Sequence, residues 1–558
     1  MDGRYYFERN LLALGPLNSD LCARLSGSET TRGTYKFLNS RSGEVVPAKL
    51  DTAGTAHPLH SLIDPKKEAF RLIGTVKEGG MLVFLGLGGG FAIESALEDQ
   101  NVHGILIVEY GIHGVAELLA SKEYVKILGD PRVRLLVDPE LEGLTSQLLG
   151  QYLPALFGGI TVLPLRSRVE LDHERFEAAA RTIRSAISAI SEDYSVQAYF
   201  GSRWFANTLR NLETAELPSR PVPPVRRVAV TAAGPSLDQQ IPLLRKQRTE
   251  YHLIATDTSL PALIQADIEP DAVISIDCQH ISYYHFMEGL PASIPLFLDL
   301  ASPPVVASRS RTPLFFSGGN PLTQYISRHW RPFPQVDTSG GNVTYAAISL
   351  ANTLGAERID LYGADFSYPG GESYCRGSYI HPFFQRIQHR LNPLESRFAH
   401  FVFRNETLQR RGIAHAWRYE TKPLAGYRER LEQLIPTLNA ELHPIPGRGA
   451  PIRILPRTVP AVRAPLQIYA AGPMSMKRKH FLEGYRMRIR SLPPLKESAG
   501  AYISRLDADS ADVLTTLLPT AAALRRRTPQ VSAGETLESV RMYALRELDS
   551  IMEARIEP

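Results

Sequence analysis

The segment Arg226–Leu237, RRVAVTAAGPSL, constrains the fold of this chain more than any other stretch. An apolar run that starts at Val228 leads into a tight corner, Gly234–Ser236, and a helix-capable segment follows. This order predicts a buried strand that ends at the N-terminus of a helix, where backbone N–H groups and the helix dipole favour a phosphate. The corner has neither the G-x-G-x-x-G pattern of dinucleotide sites nor the P-loop lysine. We therefore expect a phosphate-binding corner of a different kind.

Polar side chains stand where later strands of the same region are expected to end. They are Asp257, Asp277, Ser317 and Asp365. Strands that alternate with helices predict an open, doubly wound parallel sheet, whose ligands bind outside the carboxyl ends of the strands. Each acidic residue alone could be a helix cap. Four polar strand ends together favour a ligand site.

A second glycine-rich corner lies near the N-terminus. The apolar run MLVFLGLGGG begins at Met81, a helical segment follows, and the next apolar run, GILIVEY, contains Glu109 at its end. This order predicts a Rossmann-type unit, and its spacing also suits adenosyl-methionine methyltransferases. Because glycines also allow a strand and a helix to pack closely, we favour a structural role for this corner over ligand binding.

Proline-rich breaks in the sequence pattern predict five parts of the chain. The helical pattern after residue 169 is broken by the proline-rich PSRPVPP at 218–224, and a second run of prolines and arginines follows residue 441. The predicted parts are a Rossmann-like N-terminal domain (1–168), a helical connector (169–220), a central nucleotide-binding domain (221–435), a Pro/Arg-rich linker (436–466) and a helical C-terminal domain (467–558).

Composition excludes several classes of protein. The net charge is only +4, from 62 basic and 58 acidic residues, which predicts no nucleic-acid partner. The three cysteines lack the spacing of metal ligands or of a disulfide framework. No apolar run reaches the roughly eighteen residues of a membrane span, and the N-terminus is charged without an apolar stretch after it. We expect a soluble, cytoplasmic protein.

Beyond Tyr368 the sequence becomes polar, aromatic and rich in glycine, which predicts a mobile lid that could exclude water from a reaction. Four histidines lie in this region: His381, His389, His400 and His415. We expect at least one of them to be functional.

Four segments together resemble the motility accessory factor family, which are flagellin glycosyltransferases of motile bacteria. They are AAGPSLD at 232–238, IEPDAVISID at 268–277, SGGNVTYAAISLANTLGAERIDLYGAD at 339–365 and YPGGESYCRG at 368–377. The resemblance covers Val225–Leu434, and this block is also similar to archaeal hydroxymethylpterin diphosphokinase-like proteins. It implies an α/β fold with a Rossmann-like N-terminal domain, a central doubly wound, sialyltransferase-like domain and a helical C-terminal domain.

The same motifs are similar to those of bacterial sialyltransferases that use a cytidine-monophosphate sugar. The similarity implies that the corner lies against the nucleotide and that a serine-glycine loop contacts the cytidine. At the strand end where that family often has Asn, this chain has Asp257. The substrate-binding residues predicted in this way are Gly234, Pro235, Ser236, Asp257, Asp277, Ser339, Gly340, Asn342 and Asp365.

The sialyltransferase similarity also implies three catalytic residues. Tyr368 and Tyr374 keep the six-residue spacing of the tyrosines that hold the leaving phosphate, although they lie one place further from the Gly-Ala-Asp motif. His400 lies at a comparable distance downstream and would be the base, with His381 or His415 as alternatives.

These implications predict a glycosyltransferase that moves a nonulosonic acid, of the pseudaminic or legionaminic type, from a CMP-sugar to Ser or Thr of flagellin. Hydroxyl and N–H donors can stabilise a single leaving phosphate, so we expect no metal cofactor. One alternative is a 6-hydroxymethylpterin pyrophosphokinase, for which acidic strand ends such as Asp257 would hold Mg²⁺. Another is a non-catalytic protein that binds flagellin.

Overall fold

A computed structural model describes residues 3–28, 33–219, 221–287, 289–311, 313–404, 406–412, 417–456 and 470–553. The chain forms two compact units. The first comprises Met1–Ser202 and Arg488–Ala544, and the second comprises Arg203–Met487 and Leu545–Pro558. Each unit contains a parallel sheet with helices around it, which confirms the predicted α/β fold class. The finer five-part division remains a prediction.

The first unit contains two sheets. An antiparallel meander consists of β1 (Tyr35–Asn39), β2 (Val45–Leu50) and β3 (Ala56–Pro58). A parallel sheet of order β6-β5-β4-β7 consists of β4 (Gly80–Leu85), β5 (Val102–Glu109), β6 (Val133–Val137) and β7 (Ile160–Pro164).

The helices that begin in the first unit come from both ends of the chain. They are Gly3–Leu14, Ser19–Ser26, Pro65–Ile73, Phe91–Leu97, Ile112–Ser121, Val125–Leu128, Leu141–Gln151, Pro154–Phe157, Arg166–Leu171, His173–Ala215, Ala499–Arg505, Ala508–Arg527 and Ala533–Glu553. The helices His173–Ala215 and Ala533–Glu553 continue into the second unit, and Arg478–Ser491 runs from the second unit into the first.

Both faces of the first unit's parallel sheet are buried, which is why its strands are almost continuously apolar. Side chains alternate across β4, so that Leu82 packs in one apolar cluster and Val83 in another on the opposite face. The second cluster includes Tyr502 and Leu514. Helices from the C-terminal part of the sequence therefore cover one face of the N-terminal sheet.

The second unit is organised around a seven-stranded parallel sheet of order β12-β11-β10-β9-β8-β13-β17. Its strands are β8 (Arg227–Thr231), β9 (His252–Thr256), β10 (Ala272–Ser275), β11 (Leu296–Asp299), β12 (Leu314–Phe316), β13 (Arg358–Tyr362) and β17 (Glu441–Pro444). A small antiparallel sheet joins β14 (Tyr368–Pro369), β16 (Arg418–Glu420) and β15 (Gln409–Arg411).

Helices and short helical turns connect these strands. The helices are Leu237–Lys246, Leu260–Gln265, Pro304–Ala307, Pro321–His329, Val343–Thr353, Ile380–Ile387, Leu394–Phe403 and Lys422–Leu434, and the 3₁₀ turns are Arg248–Glu250, His280–Phe286 and Ile435–Thr437.

The strand order reverses next to β8. The chain adds β9 to β12 on one side of β8 and then returns to place β13 on the other side. Such a switch point opens a crevice at the carboxyl ends of the two central strands. The predicted phosphate corner follows β8 directly, so the fold brings it to this crevice.

The start of the predicted Pro/Arg-rich linker forms a strand. Residues Glu441–Pro444 pair with β13 as the edge strand β17, a position at which the sheet tolerates a proline. The later residues 457–466 of that segment lie outside the described residues. Within the described ranges, no helix has both the length and the apolarity needed to cross a membrane.

Candidate functional site

The glycine-proline-serine corner is closed by a carboxylate of the chain itself. The Ser236 N–H donates to Oδ2 of Asp365 (2.8 Å), and its hydroxyl donates to Oδ1 of the same residue. Ser236 is only 1% exposed. The Gly234 N–H donates to the carbonyl of Gly363 (2.9 Å). Asp365 therefore takes the place at the helix N-terminus for which the sequence predicts a phosphate, and it gains there from the same dipole.

A later segment covers this corner. The Arg448 N–H donates to the Ser236 hydroxyl oxygen (2.7 Å), and its guanidinium donates to Glu372 (2.6 Å) and, at 3.4 Å, to the carbonyl of the buried Pro235. A Cβ atom on Gly447 would lie 2.5 Å from the Ser236 hydroxyl, so this close packing requires glycine. The predicted binding residues at the corner are thus in contact with one another and with the chain that follows β17.

The next two strand ends hold the acidic residues Asp257 and Asp277. Asp257 is 3% exposed and accepts hydrogen bonds from the Ser275 hydroxyl (2.6 Å) and the Thr258 N–H (2.7 Å). Asp277 accepts one from the Gln279 N–H (2.9 Å). Burial raises the pKa of Asp277, and the negative charge of Asp257 adds to this rise. The structure therefore brings these two predicted residues close together.

Two tyrosines, Tyr374 and Tyr379, lie near these carboxylates, and Tyr368 lies near Tyr374; the sequence predicted Tyr368 and Tyr374 but not Tyr379. Tyr374 and Tyr379 have ring centroids 6.2 Å apart. Burial raises the pKa of the hydroxyls of Tyr368, Tyr374 and Tyr379. The negative charge of Asp257 raises the pKa of Tyr374 and Tyr379 further. The guanidinium of Arg404 opposes the rise at all three tyrosines. The three hydroxyls thus stay protonated and share one positive neighbour.

The segment that carries these tyrosines is packed on the sheet edge. The Cys375 N–H donates to the carbonyl of Ala233 (2.9 Å). Gly377 has φ +80°, and a Cβ there would lie 2.2 Å from the side-chain oxygen of Gln265. The segment predicted as a lid is therefore tied to the ends of the central strands.

His285, which the sequence analysis did not name, lies against the tyrosines. It belongs to the 3₁₀ turn after β10, and its ring meets that of Tyr379 edge-on at 4.3 Å. Its Nδ1 atom is buried and makes no hydrogen bond to the described residues. Burial lowers the pKa of His285, and the nearby charges of Asp257 and Asp277 oppose the decrease. The available signal was a histidine in an aromatic run directly after an acidic strand end.

The histidines that the sequence predicted lie elsewhere. His400 and His389 are exposed, the former on the helix Leu394–Phe403. His381 is partly buried, and its ring centroid lies 4.9 Å from that of Phe398. His415 lies outside the described residues.

The predicted serine-glycine loop begins a helix. The Asn342 side chain caps this helix by accepting from the Tyr345 N–H (3.0 Å). A Cβ on Gly340 would lie 2.2 Å from the Tyr345 ring. Ser339 is exposed, and its N–H donates to Asp337 (2.9 Å). Ser339 is therefore the accessible side chain of this loop, while Gly340 and Asn342 have local packing and capping partners.

Two further residues connect this loop with the strand ends. Tyr427 lies 3.2 Å from where a Cβ of Gly341 would stand, and its charge raises the pKa of Tyr368. Asp299 at the end of β11 is 7% exposed, and burial raises its pKa to about 6. A Cβ on Gly318 would meet both Asp299 and Thr338. The loop, the tyrosines and the strand ends thus form one continuous region.

Two asparagines of the long helix hold the loops after β10 and β11. The Asn207 amide donates to the carbonyls of Cys278 (3.1 Å) and Ala301 (3.0 Å). The Asn211 amide donates to those of Leu300 (2.8 Å) and Ser302 (2.7 Å). These contacts fix the loops next to Asp277 and Asp299.

The glycine-rich corner of the first unit is filled by its own side chains. Glu109 and Arg168 are fully buried and form an ion pair of 2.7 Å. Glu109 also accepts from the Leu87 N–H (2.8 Å). The Gly89 N–H donates to Nε2 of His60 (2.8 Å), and burial lowers the pKa of that histidine to about 4. These contacts support the structural role expected for this corner.

Metal-ligand geometry was also sought. In the ranges described above, three His, Cys, Asp or Glu side chains do not converge at any point as metal ligands would.

Comparisons with known proteins agree with this architecture. Residues 202–371 match the family model described as 6-hydroxymethylpterin diphosphokinase MptE-like. An uncharacterized protein of Treponema pallidum (strain Nichols) is 35% identical over 159 residues, which are 27% of this chain and 55% of that protein. A second one is 31% identical over 182 residues, 32% of this chain and 84% of that protein. The match thus spans only about half the length of the first relative.

The fold has a solved counterpart along its whole length. The structure of a Maf glycosyltransferase from Magnetospirillum magneticum AMB-1 superposes with a TM-score of 0.55 and 13% identity, over 98% of this chain and 95% of that one. The doubly wound sheet and its acidic strand ends define an α/β protein of the MptE-like class. The chain belongs to the MptE-like family and has the fold of a motility accessory factor glycosyltransferase.

Proposed function

We propose that this protein is a cytoplasmic glycosyltransferase that transfers a nonulosonic acid, of the pseudaminic or legionaminic type, from a CMP-sugar to Ser or Thr of flagellin. Such a reaction would support flagellar assembly and motility. The observation that carries the proposal is the tyrosine cluster: the rings of Tyr374 and Tyr379 lie 6.2 Å apart near Asp257, and these two hydroxyls and that of Tyr368 share Arg404 as a neighbour. The fold shared with a Maf glycosyltransferase supports the reaction class.

The residue types suit a donor with one phosphate. The leaving CMP carries its developing charge on a single phosphate, which hydroxyl donors and a guanidinium stabilise. Raised pKa values keep the hydroxyls of Tyr374 and Tyr379 protonated, so that they donate hydrogen bonds. No divalent ion is required for this role. Among the predicted binding residues, we assign direct donor contacts to Asp277 and Ser339, which are not buried. Asp257 supports the site through its bonds to Ser275 and Thr258, and Ser236 and Asp365 support it by binding each other.

Reconstitution tests the proposal. The purified protein is incubated with CMP-pseudaminic or CMP-legionaminic acid and unmodified flagellin, and CMP release and the intact mass of flagellin are followed. We expect CMP release coupled to a flagellin mass increase of one nonulosonate residue per site. Flagellin that binds but keeps its mass, with no CMP released from either donor, would contradict the proposal and favour the non-catalytic alternative.

Pyrophosphoryl transfer to a pterin is a second candidate, because the matched family model carries that activity in its description. Asp257 and Asp277 lie close together at two strand ends. One or two carboxylates together with substrate phosphates can hold Mg²⁺. Incubation with ATP, Mg²⁺ and 6-hydroxymethylpterin separates the two candidates, since AMP release that EDTA abolishes is expected only for the second.

A further inference from the structure

His285 is placed as a base would need to be. It is 7% exposed, at the carboxyl edge of the sheet, and its ring packs edge-on against Tyr379 at 4.3 Å. The Tyr379 ring in turn contacts that of Tyr374. His285 therefore shares a neighbour with the tyrosine to which the leaving phosphate is assigned.

Titratable groups face His285 from several elements. Asp257 and Asp277 face it from the ends of β9 and β10, and Tyr379 faces it from the opposite segment. The other titratable groups of its own turn are His280, Tyr283 and Tyr284, and Arg309 lies over the Tyr283 ring. Burial outweighs the two carboxylates and lowers the pKa of His285. The imidazole is thus neutral near neutral pH and able to accept a proton.

One ring nitrogen is available for that proton. The Nδ1 atom of His285 is buried and makes no hydrogen bond with any residue in the described part of the chain. A buried polar atom without a partner costs free energy, and in native proteins it calls for an explanation such as a ligand contact. His381 also has a buried, unpartnered nitrogen, but its neighbours are Asp238 and Arg376 instead of the two strand-end carboxylates.

We propose that His285, and not His400, is the general base that activates the acceptor hydroxyl. This inference rests on the proposed function. The acceptor oxygen of Ser or Thr bonds to the anomeric carbon of the nonulosonate, and the bond between that carbon and the phosphate oxygen breaks. CMP leaves with the electron pair of this bond, and the acceptor proton moves to Nδ1 of His285. Asp257 and Asp277 stabilise the imidazolium that forms, which then releases its proton to solvent.

The test compares His285→Asn with the wild type and with His280→Asn, an exposed histidine of the same turn. We expect His285→Asn to lower kcat for flagellin transfer about 10²- to 10⁴-fold, with CMP affinity and melting temperature close to wild type. Transfer by His280→Asn should stay within about twofold of wild type. Added imidazole should partly restore His285→Asn.

A measurement on the wild type makes the test independent of the variants. The His285 pKa, read by NMR of ¹³C-labelled histidine with His285→Gln for assignment, should coincide with the acid limb of kcat/KM, which reports the free enzyme. A difference of more than about one pH unit between the His285 pKa and the pKa of the acid limb would overturn the assignment. Transfer retained by His285→Asn and lost by His400→Asn would do the same. If the wild type transfers no nonulosonate, the proposed function fails and this inference fails with it.

Discussion

The two parallel sheets of this protein each carry a glycine-containing corner after a central strand, yet their polar edges differ. In the first unit the polar groups at the corner bind one another: Glu109 pairs with the fully buried Arg168, and His60 accepts the Gly89 N–H. In the second unit the corner is likewise closed, by Asp365 on Ser236. Two strands further along, after β10, the Nδ1 atom of His285 is buried and has no hydrogen-bond partner among the described residues.

A glycine corner therefore does not by itself indicate a ligand. What distinguishes the two edges is whether the buried polar groups have satisfied one another. An edge whose donors and acceptors are all paired is a structural core, while buried groups without partners mark the place where a substrate can complete the hydrogen bonding.

The largest effect is expected from Arg168→Leu. It leaves the Glu109 carboxylate buried and uncompensated, which costs about 3–5 kcal/mol. Hydrogen exchange should increase in β4 and β5 and remain unchanged in β8 and β9. Arg184→Leu is the matched control, because its ion pair with Glu177 has side chains 61% and 39% exposed and is worth less than about 1 kcal/mol. Equal exchange rates of β4 and β5 in the two variants would mean that the pair of Glu109 and Arg168 does not stabilise the first corner.

Tyr374→Phe addresses the second edge. If its hydroxyl stabilises the leaving phosphate, its loss should lower kcat about 10²- to 10³-fold without changing exchange in β8 and β9. Tyr199→Phe, which removes the hydroxyl of a tyrosine 59% exposed in the first unit, serves as the control. A Tyr374→Phe enzyme that keeps more than about a third of its activity would remove this tyrosine from the site.

The two units should respond to pH in opposite directions. Burial lowers the pKa of His60 to about 4, so its contribution to stability is complete above its unfolded value and is lost as the pH falls from about 6.5 to 4. Burial raises the pKa of Asp299 to about 6, so its contribution is complete below its unfolded value and is lost as the pH rises from about 4 to 6. Each contribution is about 3 kcal/mol.

Exchange rates in β4 and β11, measured between pH 4 and 6.5 and corrected for intrinsic exchange, should reveal the two slopes. His60→Gln should flatten the slope of the first unit alone and Asp299→Asn that of the second alone. Slopes of the same sign in both wild-type units would contradict this prediction.

The smallest effect concerns the serine-glycine loop. Asn342→Ala removes a helix cap and should lower the free energy of unfolding of the second unit by about 1 kcal/mol. Asn320→Ala, which removes a cap with the same chemistry, should cost the same. Equal stability of wild type and Asn342→Ala would speak against the cap. If the KM for the CMP-sugar rises with Asn342→Ala and not with Asn320→Ala, Asn342 also contacts the cytidine, as the family resemblance implies.

Much of the fold could be predicted because its signals are local. The apolar run before Gly234 predicts a strand and the corner predicts its end, and β8 ends at Thr231 as the pattern requires. The apolar run that begins at Met81 likewise corresponds to β4. The edge strand Glu441–Pro444 was missed, because a proline-rich pattern is typical of a linker and only pairing with β13 makes it a strand.

The candidate site was predictable in part for the same reason. Asp257, Asp277 and Tyr374 follow strands or carry a motif, and the structure brings them together. His285 and Tyr379 carry no motif, and their proximity depends on a turn and a loop that are far apart in the sequence.

The α/β class, the strands and the polar residues at their ends follow from the sequence, because periodicity, glycines and prolines act over a few residues. Which of those polar groups bind one another depends on tertiary contacts. Asp365 reaches Ser236 across 129 positions, and Arg168 reaches Glu109 across 59. Such pairs depend on how the helices and loops pack. Among the described residues, this packing leaves Nδ1 of His285 without a hydrogen bond, two strands away from the corner where the sequence predicts a phosphate.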